Sequence, residues 1–273
     1  MTFFKLLSVG VAVVMLSALQ AKAVVVYTED FEGETVGTGL ENMTSPWGIH
    51  NLGGAIGGSS VEVQALASLG GDNAADGAAQ DTIALYFKEI PTITNAITEL
   101  SLSWDMIADS KTPALGGGTT NSSFGFHNND NTDFGCRFCK GMIVHEHRVF
   151  DGETGWFLDM TGLAGVTSKH TIGVGGEMED VEVRANITID LVNNTIEATL
   201  FDGFATISSG VEPFPAGGAD VISQLGYVSD ARTHTDGLDV DNIVLEYVPE
   251  PTSCLLLSLG LVSLLGCSRR NRG

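Results

Sequence analysis

Three groups of side chains in this sequence have the types and spacing to do chemistry. Cys136-Arg-Phe-Cys139 is followed by His145-Glu-His147. Two thiols and two imidazoles could enclose zinc, and on a strand His145 and His147 point to the same side. Their spacing matches no standard zinc finger, so in an exported chain a Cys136–Cys139 disulfide closing a tight loop is the favoured reading. A redox Cys-x-x-Cys ranks lower, because a reactive thiolate of that kind sits at a helix N-terminus and none is predicted here. The second group is the carboxylate run Glu177-Met-Glu179-Asp180-Val181-Glu182. The third is aromatic: Trp47, Trp104, Trp156 and Tyr86 are the residues whose rings could stack on sugars. Trp104 is in phase with Leu100 and Leu102 and is expected in the core. Trp156 follows the Gly152–Gly155 stretch at a loop edge and, with Trp47, is a candidate for glycan contact; the alternative for each is core or rim packing. The oxygen-rich loop Asn128–Asp133 lacks EF-hand spacing and a glycine at the sixth place, and reads as a turn.

The elements that must position these groups are strands. No convincing helical periodicity runs between Val24 and Val248. Alternating or β-branched runs recur instead at 24–31, 60–66, 83–88, 97–107, 123–127, 142–150, 156–160, 170–174, 181–191, 195–201, 221–228 and 238–248. Clusters of Gly, Asn, Asp and Ser separate them, the pattern of a two-sheet antiparallel sandwich. Strand number and length predict an all-β jelly roll. The clearest hairpin joins 187–192 to 195–200 through Asn193-Asn194, where both asparagines tolerate the positive φ of a tight turn. The Gly/Ala/Thr-rich stretches 52–80 and 109–121 are expected as mobile loops. No fixed-period repeat, P-loop, dinucleotide fingerprint or Gly-x-Ser-x-Gly motif is present. One domain, 24–248, is predicted.

Both ends read as addresses. Residues 1–23 have the form of a secretory signal: Lys5, an apolar stretch from Leu6 to Leu19, then Ala21-Lys-Ala23 as a small-x-small cleavage pattern. At the other end Pro249-Glu250-Pro251 precedes the apolar run Cys254–Cys267 and the cluster Arg269, Arg270 and Arg272. As a helix that run reaches ~21 Å at ~1.5 Å per residue, thin for a bilayer core of ~30 Å without help from its flanks. The arginines would hold the extreme C-terminus in the cytoplasm. Residues 249–273 resemble the PEP-CTERM sorting signal of Gram-negative bacteria, with its Pro-Glu-Pro motif, transmembrane-type helix and terminal arginines. The resemblance implies an exosortase substrate cut near Pro249–Pro251, after passage through the Sec translocase and signal peptidase. It also implies a secreted or cell-envelope destination, with exopolysaccharide as company.

Charge bounds the partners. The chain carries 34 acidic and 13 basic residues, a net charge of −21, with 43% apolar content. Two basic residues lie in the leader and three in the tail, leaving 8 against 33 acidic residues in 24–248, near −25. Such a field repels phosphate, which excludes nucleic acid and an anionic membrane surface as partners. The membrane is met only through the C-terminal helix. The apolar content is too high for a disordered acidic chain.

Glu29-Asp-Phe-Glu-Gly33 with Trp47 downstream, and the closing Asp239-Val-Asp-Asn-Ile-Val-Leu245, resemble the concanavalin-A-like and carbohydrate-binding jelly rolls. In such modules, acidic residues after the first-strand Phe and in the last strand often hold structural calcium. The matching positions are Glu32 and Asp241, with Asp30 and Asp239 nearby; the alternative is a solvated acidic face guarding strand edges. Laminarinase-like glucanases on this fold carry Glu-x-Asp-x-x-Glu along one strand. Glu177, Glu179 and Glu182 are a near miss, with Glu179 in place of the central Asp. These readings together imply a non-enzymatic exported surface or matrix protein. The alternatives are a calcium-dependent lectin-like module and, third, a glycan hydrolase.

Overall fold

The computed structural model describes residues 22–49, 61–66, 69, 73–76, 83–91, 96–108, 119–128, 142–148, 154–160, 169–174, 177–214, 222–230 and 238–250. Among them the chain forms β1 (Val24–Glu29), β2 (Gly48–Ile49), β3 (Glu62–Ala65), β4 (Asn73–Asp76), β5 (Ile83–Glu89) and β6 (Ile97–Ala108). Then follow β7 (Thr119–Asn128), β8 (Ile143–Arg148), β9 (Thr154–Asp159), β10 (Lys169–Val174), β11 (Val183–Asp190) and β12 (Thr195–Phe201). The last four are β13 (Thr206–Ser208), β14 (Glu212–Pro213), β15 (Ile222–Asp230) and β16 (Leu238–Pro249). The described residues contain no α-helix; a 3-10 turn spans Leu40–Asn42.

The strands make two antiparallel sheets. The larger runs β13-β12-β11-β6-β16-β4-β3, with β1 also on β16 and β14 also on β12; the smaller runs β10-β9-β8-β7-β15-β5-β2. Their inner faces are apolar because side chains alternate across a strand. On β11 the buried positions are Val183, Ala185, Ile187 and Ile189, and on β6 they include Leu100, Leu102, Trp104 and Met106. Trp104 of the larger sheet meets Phe124 of the smaller at 4.9 Å between ring centroids, and Phe124 in turn touches Trp47 and Tyr227. Residues of this size each contribute about 1.5–3 kcal/mol by burial, which makes this aromatic stack the centre of the sandwich.

The last strand carries a bulge. Leu238 and Val240 face inward, the register slips between Asp241 and Val244, and Ile243, Leu245 and Tyr247 then face inward. Asn242 takes the extra place at φ 49. Without that residue the apolar positions after it would turn to solvent. β1 pairs with β16 from Val24↔Tyr247 to Glu29↔Ile243.

All twelve expected strands are present, 195–201 with the expected bounds and the others with at least one end shifted. Four others were not expected. Asn73–Asp76, within the stretch read as a mobile loop, forms β4 because β3 and β16 pair with it. β2, β13 and β14 are two or three residues long. The 187–200 hairpin turns through 191–194, and of its two asparagines only Asn194 has a positive φ, 53°. Asn193 instead bonds back to Asp190, whose carboxylate also accepts the amides of Val192 and Asn193.

Candidate functional site

The carboxylate run lies off the strand that follows it. β11 begins at Val183, and Met178 and Asp180 are both left-handed, at φ 58° and 56°. Such backbone in non-glycine residues costs about 1–3 kcal/mol each and persists only where neighbours enforce it. Here the indole Nε1 of Trp156 donates to Glu177 O at 2.9 Å, Asp180 N donates to Ala108 O at 3.0 Å, and the Met178 side chain is buried. Glu179 turns inward and meets His145 Nε2 at 2.7 Å, with both side chains almost fully buried. The imidazole packs against the Trp156 ring at 4.6 Å. Glu177 and Glu182 are exposed. A row of carboxylates alternating along one strand is therefore not formed, because the left-handed residues destroy the alternation it requires.

The tryptophans correct a second expectation. Trp156 and Trp47 are 1% and 2% exposed. Trp156 is on β9 with Leu158, on the inward side of the smaller sheet, and its neighbour Phe157 takes the outward position. Gly155 lets β9 approach β10 so closely that a Cβ there would collide with Gly173 O. Neither indole presents a face to a sugar. Trp104 and Tyr86 are buried as well.

The four acidic residues matched to a calcium site do not converge. Among the described residues no group of three or more His, Cys, Asp or Glu side chains is placed to hold a metal ion. Glu32 accepts the Asn73 amide at 2.6 Å, Asp30 accepts the Glu32 amide, and Asp241, only 1% exposed, accepts the Asn242 amide at 2.7 Å. Asp239 is half-buried on β16. Cys136 and Cys139 lie outside the described residues, as do Asn129–Asp133, Pro251, Arg269, Arg270, Arg272 and residues 1–21. Pro249 is the last residue of β16, opposite Ile97, and Glu250 N donates to Ala96 O at 2.9 Å.

A further cluster was missed in the sequence. On the solvent side of the larger sheet, register sets Thr206, Phe201, Arg184, Asp105 and Asp241 side by side on β13, β12, β11, β6 and β16. Arg184 Nη1 lies 3.0 Å from Asp105 Oδ1 and donates to Asn242 O at 3.0 Å, while Nη2 donates to Ser103 Oγ at 2.8 Å. The bulge at Asn242 supplies the carbonyl that completes this clamp. Beside the row, Asn186 accepts from Ser101 Oγ and donates to Thr188 Oγ1. Phe201 is 43% exposed, and Phe204, at the tip of the β12–β13 hairpin, is 97% exposed. That tip is tightly made: Asp202 accepts the amides of Ala205 at 2.7 Å and Phe204 at 2.8 Å, and these bonds hold its carboxyl below the usual carboxylate range. The signal that could have found the cluster is Phe201-Asp-Gly-Phe204, two aromatics around a turn dipeptide.

The sequence matches no family model and no curated protein. Solved structures similar to the chain include arcelin-5, a lectin-like defense protein from Phaseolus vulgaris. It is 10% identical, with 84% of this chain and 100% of that one covered at a TM-score of 0.47. The CBM2 module of the evolved Dit of Lactobacillus casei BL23 phage J-1 is 10% identical, covering 84% and 98% at 0.46. A sialidase is 12% identical, covering 86% of this chain but 19% of the sialidase, at 0.45.

Proposed function

We propose that this chain is an exported, non-catalytic, glycan-binding jelly roll of the cell surface or extracellular matrix. The observation that carries this reading is the solvent side of the larger sheet. There Ser101, Asn186 and Thr188 form a hydrogen-bonded set of hydroxyl and amide groups on adjacent strands, with Ser103 opposite Asn186 and bonded by Arg184. Such groups both donate and accept, as sugar hydroxyls require. The opposite face of the same strands is sealed in the core, so packing fixes this surface in place.

Export is supported by the two terminal segments. A leader removed before Val24 and a sorting cut between Pro249 and Pro251 would leave both sheets whole, since β1 starts at Val24 and β16 ends at Pro249. Val24 pairs with Tyr247, so both processing points lie at one end of the larger sheet. The Sec translocase, signal peptidase and exosortase are the partners on this route, and exopolysaccharide is the partner at its end. Calcium is a variable of the test.

The test is expression of the full chain in a host that carries an exosortase, with fractionation and intact mass, followed by a glycan array with and without calcium. A surface or medium species starting at Val24 and ending near Pro249, bound to at least one polysaccharide, is expected. Retention in the cytoplasm, or no binding on the array, overturns the corresponding half of the proposal.

A further inference from the structure

We infer that the row Phe201–Arg184–Asp105, with Phe204 at the adjoining hairpin tip, is the subsite that grips a neutral polysaccharide. The inference rests on the glycan-binding reading above and deepens it to named residues and a ligand class.

Three observations converge on this row. Phe204 is 97% exposed on a turn pinned by the Asp202 carboxylate, and Phe201 is 43% exposed on the strand leading into it. A phenyl ring held in water by a rigid turn is unspent apolar surface, and the C–H face of a pyranose matches it. Next, Arg184 is fixed by Asp105, Ser103 and the Asn242 carbonyl, yet its side chain remains 35% exposed. A guanidinium and carboxylate held side by side offer donors and acceptors at fixed spacing, the recognition chemistry of neighbouring hydroxyls. The four strands from Thr206 to Asp105 span ~14 Å at ~4.8 Å each, room for more than one sugar unit in line.

Charge selects the polymer. Arg184 is already matched by Asp105, with buried Asp241 next in the row. The domain around it holds 33 acidic and 8 basic residues. A polyanion approaching this row meets net repulsion, whereas a neutral chain does not.

Affinity electrophoresis of the full chain through gels holding dextran, laminarin, galactomannan or alginate tests the inference. Retardation is expected by at least one of the three neutral polymers and not by alginate. The double substitution Phe201→Ala with Phe204→Ala is expected to weaken that binding about tenfold, with Phe201→Tyr and Phe204→Trp retaining it. Val192→Ser, in the β11–β12 turn at the other end of β12, should leave it unchanged, and circular-dichroism melts verify that every variant folds. Binding by wild type that the double substitution leaves intact overturns the subsite while the glycan-binding reading stands. No retardation of wild type by any polymer overturns both. Retardation by alginate alone overturns the neutral ligand class. A wild-type dimer that the double substitution converts to monomer assigns the surface to a second copy of this chain and overturns the inference.

Discussion

Two clusters in this molecule are built from nearly the same parts and face opposite ways. One joins Trp156, His145 and Glu179 inside the smaller sheet, and the other joins Phe201, Arg184 and Asp105 outside the larger one. Each pairs an aromatic ring with a cation-forming group and a carboxylate. In the first, every side chain is nearly sealed from water and the pair holds a left-handed loop against the end of the sandwich. In the second, the charged pair is held by a bulge at the surface and the rings stay in water. The difference is the face presented: the same residue types fasten the fold when they face inward and stay within reach of solvent when they face outward.

Substitution of the two aromatics should separate the clusters most sharply. Trp156→Ala empties a core position, strips Glu177 O of its donor and removes the wall against His145. A loss of about 3–5 kcal/mol is expected in urea unfolding. Phe204→Ala should leave unfolding within about 0.5 kcal/mol of wild type, since the ring touches little. Equal losses in the two variants would end the distinction. Next in size is the buried pair itself. Glu179→Ala leaves the imidazole facing an empty space and releases the loop, with about 3 kcal/mol expected to be lost. Glu179→Gln keeps the shape and one hydrogen bond, so its cost should be nearer 1 kcal/mol. If the two variants unfold alike, the loop is held by Met178 and Trp156 alone.

The sandwich was legible because burial imposes a two-residue period that few other forces disturb. β11 alternates buried and half-buried positions from Val183 to Asp190 without a break. β4 was not legible, since Asn73-Ala-Ala-Asp76 has neither β-branched residues nor alternation of polarity, and its strand form is imposed by β3 and β16. The candidate sites were legible only as far as parity could be assumed. Glu177–Glu182 is a near miss to a carboxylate motif that needs strand alternation, and the left-handed Met178 and Asp180 remove that alternation. Trp156 was placed at a loop edge by its glycines, yet those glycines allow β9 and β10 to close together and bury it. Arg184 and Asp105 lie far apart in sequence, and only the register of β11 on β6 joins them.

The smallest effect concerns how Phe204 is held. Asp202 is half-buried, and its carboxyl is kept below the usual range by the Ala205 and Phe204 amides. A depressed carboxyl contributes its stabilisation above the ordinary aspartate range, near pH 3.9, and loses it as pH falls through the lowered value. The hairpin tip should therefore be ordered from neutral pH down past the ordinary range, then loosen. Amide chemical shifts of Phe204 and Ala205 followed during acid titration should show a midpoint below that of a free aspartate. In Asp202→Asn that titration should vanish, and retardation by a neutral polysaccharide should drop only a few-fold, because the phenyl remains and only its orientation is freed. A loss as large as that of Phe204→Ala would mean that the ring acts only when the turn presents it. The sealed corner offers no such separation, since Trp156 cannot be freed without opening the core.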